Sequence, residues 1–379
     1  MRVFHLINGY FDTSLYRHFL RSLGDSGIQQ RVHVPVRPKH EPLINRNPLS
    51  ETIPFSYTRI HPTPFSRLFF HQKVRRVYRD LDQPGSLSGE TLIHAHSLLS
   101  DGAVALKLNR KHGTPYVVAI RLTDILFLQY LVFFRSLGRK ILQHAAAVVI
   151  VSPGHLKKLL SFMKPGEREV IQQKCRILPN GVDPYWLSRI QAHPPLNHEK
   201  IRLLYVGDMS IRKNVLTTIR AAGILVTKGY SVQLTLVGGR KTDPGWYGRR
   251  VRKVSGKLPW INLVDRTTDQ DKLLNIYRES DIFLMPSWGE TFGLTYVEAL
   301  SQGLPVICSR GQGIDGYYPD GKVGYAVKPS APEDIADKMI RIINDYNRIS
   351  SFCNQHALDF DWSGIARTYA GLYESCLNF

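Results

Sequence analysis

The stretch DIFLMPSWGETFGLTYVEALSQGLPVICS, Asp281 to Ser309, sets the fold. DIFLMP is a continuous apolar run, as expected of a strand buried on both faces of a parallel sheet. TYVEALSQG has helical spacing, with Gly303 placed to stop it, and LPVICS reads as the next strand. Strand, helix, strand is the repeating unit of a doubly wound sheet. Glu290 then stands at the carboxyl end of a strand, and Gly293 at the first turn of the following helix. In open α/β sheets that crevice is where ligands bind.

The same alternation runs through the chain. RVFHLI, QRVHVPV, TLIHAH, YVVAIR and AAVVIVS read as strands of a first half, and IRLLYVG, VQLTLVGG, INLVDR, DIFLMPS and LPVICS as strands of a second. SLYRHFLRSLG, DGAVALKLNRKHG, VLTTIRAAGILVTKG and DKLLNIYRESD suit helices between them. The expected fold class is therefore α/β, with two doubly wound Rossmann-like domains. The Pro-rich break DPYWLSRIQAHPPLNHEK (183–200) divides residues 1–190 from 191–359. The tail DFDWSGIARTYAGLYESCL has apolar positions at Trp362, Ile365, Ala366, Tyr369 and Leu372, an amphipathic helix within 360–379 expected to pack back on the first domain.

A length of 379 residues exceeds one ordinary core, and 43% hydrophobic against 21% charged residues describes a soluble globular chain. Cys175, Cys308, Cys353 and Cys376 are far apart, which argues against a zinc site or disulfide framework and fits a reducing cytosol. The start, MRVFHLINGY, does not read as a signal peptide, and the longest apolar stretch, ILFLQYLVFF (125–134), is half the length needed to span a bilayer. The net charge of +19 is lopsided: residues 1–195 carry 27 Lys and Arg against 12 Asp and Glu, residues 196–379 carry 23 against 19. The basic half should attract a polyanion. Its densest part, RIHPTPFSRLFFHQKVRRVYR (59–79), interleaves cations with Phe65, Phe69, Phe70 and Tyr78. It reads either as a solvated helix face or as a surface that docks on an anionic membrane, with Phe69 and Phe70 at headgroup level and Lys73, Arg75 and Arg76 as contacts. No nucleic-acid-binding pattern accompanies it.

The two glutamates are eight residues apart, so on a helix they face similar directions about 12 Å apart. They cannot flank one bond as a glycosidase pair does. They suit the two ends of an extended ligand whose phosphates lie at the intervening helix N-terminus, where unpaired N–H groups and the helix dipole favour anions and Gly293 permits close approach. A nucleotide-sugar has that form.

These residues resemble the retaining glycosyltransferases of the GT-B fold, glycosyltransferase family four. ETFGLTYVE matches that family's Glu–seven residues–Glu motif. YVGDMSIRKN (205–214) resembles its donor-phosphate loop, ILPNGVD (177–183) the end of its first domain, LIHAHS (92–97) its acceptor-side strand end, and GLPVICSRGQGIDGYYPDGKVGYAVKP (303–329) the strand and glycine-rich loop after the motif helix. The resemblance implies two domains facing across a cleft. It implies that Glu298 binds the donor ribose, that Glu290 contacts the transferred sugar, and that the backbone of Phe292, Gly293 and Leu294 meets the sugar and distal phosphate. Lys213 resembles the lysine that neutralises the leaving diphosphate, in place of a divalent metal and with no cofactor beyond the nucleoside-diphosphate sugar. Gly207, Arg212, Arg266 and, from the first domain, Gly9 complete the expected donor site. His96, Arg121 and Asp124 form the expected acceptor site.

Two positions depart from the family pattern. Asp208 stands where Arg usually follows the glycine of YVG, so either Arg212 supplies the missing charge or the diphosphate binds more weakly. Arg121 stands where a His often meets the sugar. His94 and His96 are expected to face opposite sides of their strand end, Asn180-Gly181 to form a structural turn, and Gly311-Gln-Gly313-Ile-Asp-Gly316 to be no dinucleotide loop, since no clear helix follows. Asp80-Leu-Asp82 and Asp359-Phe-Asp361 read as chance metal-motif matches. The expectation is a cytoplasmic hexosyltransferase, peripheral on the inner membrane face, acting on a glycan or lipid-linked acceptor. The alternatives are a sugar-phosphate-accepting synthase of the same fold, or a noncatalytic binding protein that kept it.

Overall fold

The computed structural model describes all residues except 61–69, 84–86, 88–91, 197–198, 240–244 and 378–379. Within the described residues one sheet consists of β1 (Arg2–Leu6), β2 (Gln29–Val36), β3 (Phe55–Arg59), β4 (Leu92–Ala95), β5 (Tyr116–Ile120), β6 (Ala147–Ile150) and β7 (Cys175–Ile177). A second consists of β8 (Ile201–Val206), β9 (Val232–Val237), β10 (Ile261–Val264), β11 (Ile282–Leu284), β12 (Val306–Ser309) and β13 (Gly324–Val327). The orders are β3-β2-β1-β4-β5-β6-β7 and β10-β9-β8-β11-β12-β13. Every pairing is parallel. The expected α/β class of two doubly wound sheets is what the chain forms. Strand order reverses between β1 and β4 in one sheet and between β8 and β11 in the other, and each reversal opens a crevice at the strands' carboxyl ends.

The first unit comprises Met1–Val151, His155–Gly181 and Trp362–Phe379, the second Ser152–Gly154 and Val182–Asp361. The division falls at Gly181 rather than at residue 190 because Trp186, on the short helix Pro184–Leu187, is buried in the second unit's core, edge-on to Tyr277 at 5.3 Å. The helix Trp362–Ser375 belongs to the first unit. Its apolar face, Trp362, Ile365, Ala366, Tyr369 and Leu372, is buried with Phe19, Leu20 and Leu23 of the helix Leu15–Asp25. Asn180-Gly181 serves that packing: a Cβ on Gly181 would lie 2.3 Å from the Trp362 indole. Truncating Trp362 to Ala costs about 3–5 kcal/mol on the scale of buried aromatics. The other face of the first sheet is covered by the helices Phe70–Leu81, Ser100–His112 and Phe134–His144. All four cysteines are free, and no helix of the described residues is long and apolar enough to cross a membrane.

Candidate active site

In the second unit the site grows from the ends of β8 and β11. After β8 the chain passes Gly207 and Asp208, makes a 3-10 turn at Ile211–Lys213, and enters the helix Val215–Thr227 through Asn214 at φ 57°. Asn tolerates this left-handed conformation because its short amide finds local partners. Here Nδ2 donates to the carbonyls of Pro286 (2.9 Å) and Pro329 (2.7 Å), and Oδ1 accepts from the Thr217 hydroxyl at 2.8 Å. One side chain thus ties the loop after β8 to the loops after β11 and β13.

Lys213 and Glu290 meet directly. Lys213 Nζ lies 2.6 Å from Glu290 Oε2 and 3.2 Å from Met285 Sδ, with the two side chains only 12% and 9% exposed. Glu290 Oε1 accepts from the Thr291 N–H at 3.1 Å. The site therefore holds its cation and its carboxylate as one pair. Gly293 follows at φ 82°, where a Cβ would stand 2.5 Å from the Tyr296 ring, so the turn into the helix Leu294–Ser301 requires glycine. The Phe292 side chain is buried against Tyr317 and Phe360, which leaves its backbone to face the loop.

Arg212 braces this loop. Its Nη1 donates to Gly289 O at 2.7 Å, and Trp288 N–H donates to Arg212 O at 2.7 Å. Asp208 lies 3.7 Å from Arg212 and accepts from the Ser210 hydroxyl at 2.6 Å, so the aspartate that replaces the usual arginine has its charge answered locally. Sequence reasoning missed Gln312, whose Oε1 accepts from Glu290 N–H at 2.9 Å and whose Nε2 donates to Trp288 O at 3.2 Å. The signal was present in the Gly-Gln-Gly run: Gly313, at φ 59°, brings this turn against Phe292 O and Glu290. That run is a brace and is followed by turns, as expected of a false dinucleotide motif.

Glu298 is half-buried, and its Oε2 accepts from the Tyr277 hydroxyl at 2.9 Å. Burial pushes its carboxyl up to about 7, Asp183 nearby adds to the rise, and the Tyr277 hydrogen bond opposes it. At the carboxyl ends of β8 and β9 a cavity of about 680 Å³ is lined by Val206–Ser210, Val237–Gly239, Gly245, Arg266, Thr267 and Leu273, the first of these segments leading along the loop to Lys213. That is a volume suited to a small-molecule ligand. Gly207 and Gly238 form its floor, since a Cβ on Gly238 would sit 1.7 Å from Gly207 O. The exposed Arg266 stands at the edge. Gly238-Gly239 were legible only as a strand end. A larger groove of about 810 Å³ opens in the first unit at Arg2, Gln29 and Pro54, the amino ends of the strands, where this architecture does not place ligands.

In the first unit Gly9 follows β1 at φ 124°. Arg121 precedes the helix Leu122–Tyr130; its Nε donates to His96 O at 3.2 Å and its Nη1 to Asn180 Oδ1 at 3.4 Å. Asp124 is buried and already committed, accepting from Leu99 N–H at 3.2 Å and Arg121 N–H at 2.9 Å; burial raises its carboxyl. Asp101, missed in the sequence, is buried where β1 and β4 end. It accepts from Asn8 N–H at 3.2 Å and Ser97 Oγ–H at 3.0 Å, and burial pushes it up to about 7, against the pull of Lys73. Lys73, expected either on a solvated face or as a membrane contact, turns inward to donate to Ser100 Oγ at 2.7 Å, and burial lowers it to about 8.

His94 and His96 do not face opposite sides. Residues two apart in a strand share a face, and the two rings stack at 3.8 Å between centroids. His5, paired with His94 across β1 and β4, places Nδ1 3.0 Å from His96 Nε2, and His94 Nδ1 meets the Tyr373 hydroxyl at 2.7 Å. Burial holds His94 and His96 well below the usual imidazole range and lowers His5 to about 3. The three rings have ligand atoms within 4.8 Å of one another. His5 Nδ1 and His96 Nε2 are hydrogen-bonded to each other and His94 Nδ1 is taken by Tyr373, while His5 Nε2, His94 Nε2 and His96 Nδ1 are buried without a hydrogen-bond partner among the described residues. The cluster is a neutral packed stack under the terminal helix. The Asp-Leu-Asp string ends a helix, with Asp82 taken by Lys111 (2.7 Å) and His112 (2.9 Å).

Two family models match the chain: Glycosyltransferase Family 4 over residues 15–186 and Glycosyl transferases group 1 over residues 200–345. A D-inositol 3-phosphate glycosyltransferase 2 of Catenulispora acidiphila is 25% identical over 324 residues, 74% of this chain and 70% of that protein. A D-inositol 3-phosphate glycosyltransferase of Corynebacterium urealyticum is 32% identical over 239 residues, 61% of this chain but only 52% of its own length. The sucrose-phosphate synthase of Thermosynechococcus elongatus superposes with a TM-score of 0.72 at 18% identity, covering 100% of this chain and 99% of that one. With one family's two domains on its two halves and the GT-B architecture in its sheets, the chain belongs to the group 1, family-four glycosyltransferases and is a nucleotide-sugar-dependent glycosyltransferase.

Proposed function

We propose that the enzyme transfers a hexosyl group from a nucleoside-diphosphate sugar to a hydroxyl of a glycan or lipid-linked saccharide in cell-surface polysaccharide or glycolipid assembly, retaining the anomeric configuration. The observation that carries this reading is the Lys213–Glu290 pair, 2.6 Å apart, at the strand-order reversal beside the cavity and before the helix Leu294–Ser301.

The donor's base and ribose occupy the cavity, with Gly207 at its floor, Arg266 at its edge and Glu298 accepting from the ribose hydroxyls. The diphosphate lies at Lys213 and the backbone of Phe292, Gly293 and Leu294. An incoming diphosphate competes for Lys213 and releases Glu290 toward the sugar. As the sugar–phosphate bond breaks, negative charge develops on phosphate, where a fixed ammonium and a helix N-terminus stabilise it without a divalent metal or further cofactor. The departing phosphate oxygen takes the acceptor proton, so attack comes from the same face. Arg212 and Gln312 act by holding the Gly289–Glu290 backbone in place. In the first unit Arg121 directs the acceptor, with the Asp124 carboxylate and the His96 carbonyl holding Arg121 in place. The enzyme works in the cytoplasm against the inner face of a membrane.

A sugar-phosphate acceptor is the second reading. It is favoured by the cationic Arg121 where a His is usual, and by the names of the inositol-phosphate and sucrose-phosphate relatives. A thermal-shift screen of UDP-, GDP-, ADP- and dTDP-sugars tests the donor assignment, since a ligand that binds only the native state raises its melting point. Product analysis with neutral and phosphorylated acceptors then separates the two readings. No shift with any nucleotide-sugar refutes both.

A further inference from the structure

The first unit carries an apolar tip that the glycosyl-transfer reading does not use. Between the helices Leu122–Tyr130 and Phe134–His144, Tyr130, Val132 and Phe133 are 71%, 58% and 70% exposed, and Leu126 is 37% exposed one helical turn before Tyr130. This is a concentrated apolar patch, of the kind that marks an interaction surface. Its backbone is held from beneath. Leu131 N–H donates to Phe127 O (2.8 Å), Phe134 N–H to Leu131 O (2.9 Å), Arg135 N–H to Val132 O (3.0 Å), and Arg135 Nε to Leu128 O (2.7 Å). The rings are therefore presented outward by a fixed turn.

Cations border it. Phe70 packs on Phe134 at 4.9 Å between centroids, which brings the start of the helix Phe70–Leu81 against the tip. Phe70 is thus turned inward, contrary to its expected place at headgroup level, while Phe65 and Phe69 lie outside the described residues. The exposed face of that helix carries Arg75, Arg76 and Arg79, and Lys140 is exposed on the neighbouring helix. Arg75, Arg76 and Lys140 have no ion pair among the described residues.

The geometry points to this tip as the element that docks the protein on an anionic lipid surface, with Tyr130, Val132 and Phe133 entering the headgroup layer and the flanking cations holding lipid phosphates. Exposed aromatic and aliphatic side chains with exposed Arg and Lys along the two adjoining helices match the chemistry of that interface. A second copy of this chain is the poorer occupant, since it would bring one strongly basic surface against another. The helix Leu122–Tyr130 runs about 13 Å from Arg121 to the tip. A saccharide on a lipid headgroup is thereby presented at Arg121. That last step rests on the glycosyl-transfer reading, whereas the docking does not.

Flotation with vesicles of phosphatidylcholine, alone or mixed with phosphatidylglycerol, tests the docking without any donor or acceptor. The wild-type protein should bind the mixed vesicles at low salt, release them in high salt, and ignore phosphatidylcholine alone. Phe133→Asp with Tyr130→Ser, and separately Arg75→Glu with Arg76→Glu, should each weaken partitioning at least about tenfold. Trp246→Ser, which removes an exposed ring from the second unit, should leave it unchanged. All variants should keep the parental melting point and the parental shift with nucleotide-sugar, so a loss of vesicle binding is distinct from a failed donor site. Absence of wild-type binding to mixed vesicles, binding that survives both paired variants, or a wild-type dimer that Phe133→Asp dissociates would each overturn the inference.

Discussion

Lys213→Ala separates the two roles of the Lys213–Glu290 pair. The substitution leaves a carboxylate that is only 9% exposed without its cation. Breaking a buried pair from one side costs about 3–5 kcal/mol, because the remaining charge stays desolvated. Glu290 keeps the Thr291 N–H, which places the loss near the lower end, about 3 kcal/mol. For a unit of about 180 residues, each kcal/mol moves the melting point by about 2–4 °C, so the second unit should melt about 6–12 °C lower. Turnover should fall roughly 100-fold, about 2.7 kcal/mol on the barrier, from loss of charge stabilisation at the leaving phosphate. Lys213→Ala combined with Glu290→Gln removes the stranded charge, so it should recover most of the stability and none of the activity. Lys213→Arg should recover only part of the turnover, since a broad fork replaces a compact ammonium. Calorimetry and donor-hydrolysis rates measured on the same preparations check both. A Lys213→Ala protein that melts within about 1 °C of the parent and turns over within about twofold of it would refute the argument, because neither desolvation nor phosphate stabilisation would then act at Lys213.

Glu298→Gln should weaken free nucleoside diphosphate as well as intact donor, whereas Glu290→Gln should lower turnover with diphosphate affinity nearly unchanged; equal losses in titration calorimetry would end that division of labour. With the Glu298 carboxyl raised to about 7, wild-type diphosphate affinity should rise as the group ionises between about pH 6 and 8, and the Glu298→Gln profile should be flat. Activity should survive EDTA, and complete loss restored by magnesium or manganese would overturn the metal-independent mechanism. Asp101, raised to about 7, keeps a proton in the fold that the unfolded chain gives up near pH 4, so its contribution to stability falls as pH rises through that window. Denaturant unfolding of Asp101→Asn should lack this decline, worth up to about 4 kcal/mol at about 1.4 per pK unit, and an unchanged pH profile would remove Asp101 as its source.

Most strands legible in the sequence are those that tertiary burial makes into continuous apolar runs, such as YVVAI and IRLLYV; the edge strand INLV is legible from its apolar composition although it is only partly buried. The three that escaped, β3, β7 and β13, are all edge strands. FSYTR and CRI are half-exposed, so no apolar periodicity marks them, and GYAV is short and opens on a glycine. Fold class, family and the glutamate loop were decided locally, because a strand end, a left-handed glycine and a helix start lie within a few residues. The partners of those groups come from far along the chain, and only the folded structure supplies them. Lys213 reaches Glu290 across 77 residues, Gln312 braces Glu290 N–H from 22 residues away, and Arg212 holds Gly289 rather than standing free for phosphate. Side-chain direction was likewise undecided. Lys73 and Phe70 sit in a stretch whose composition is basic and aromatic, yet helix phase turns both inward and leaves Arg75 and Arg76 outside. The apolar run 125–134 could be read only as too short to cross a bilayer. That its Tyr130 and Phe133 face outward while Leu128 and Phe134 are buried follows from the packing of two helices on a sheet, which no local pattern encodes.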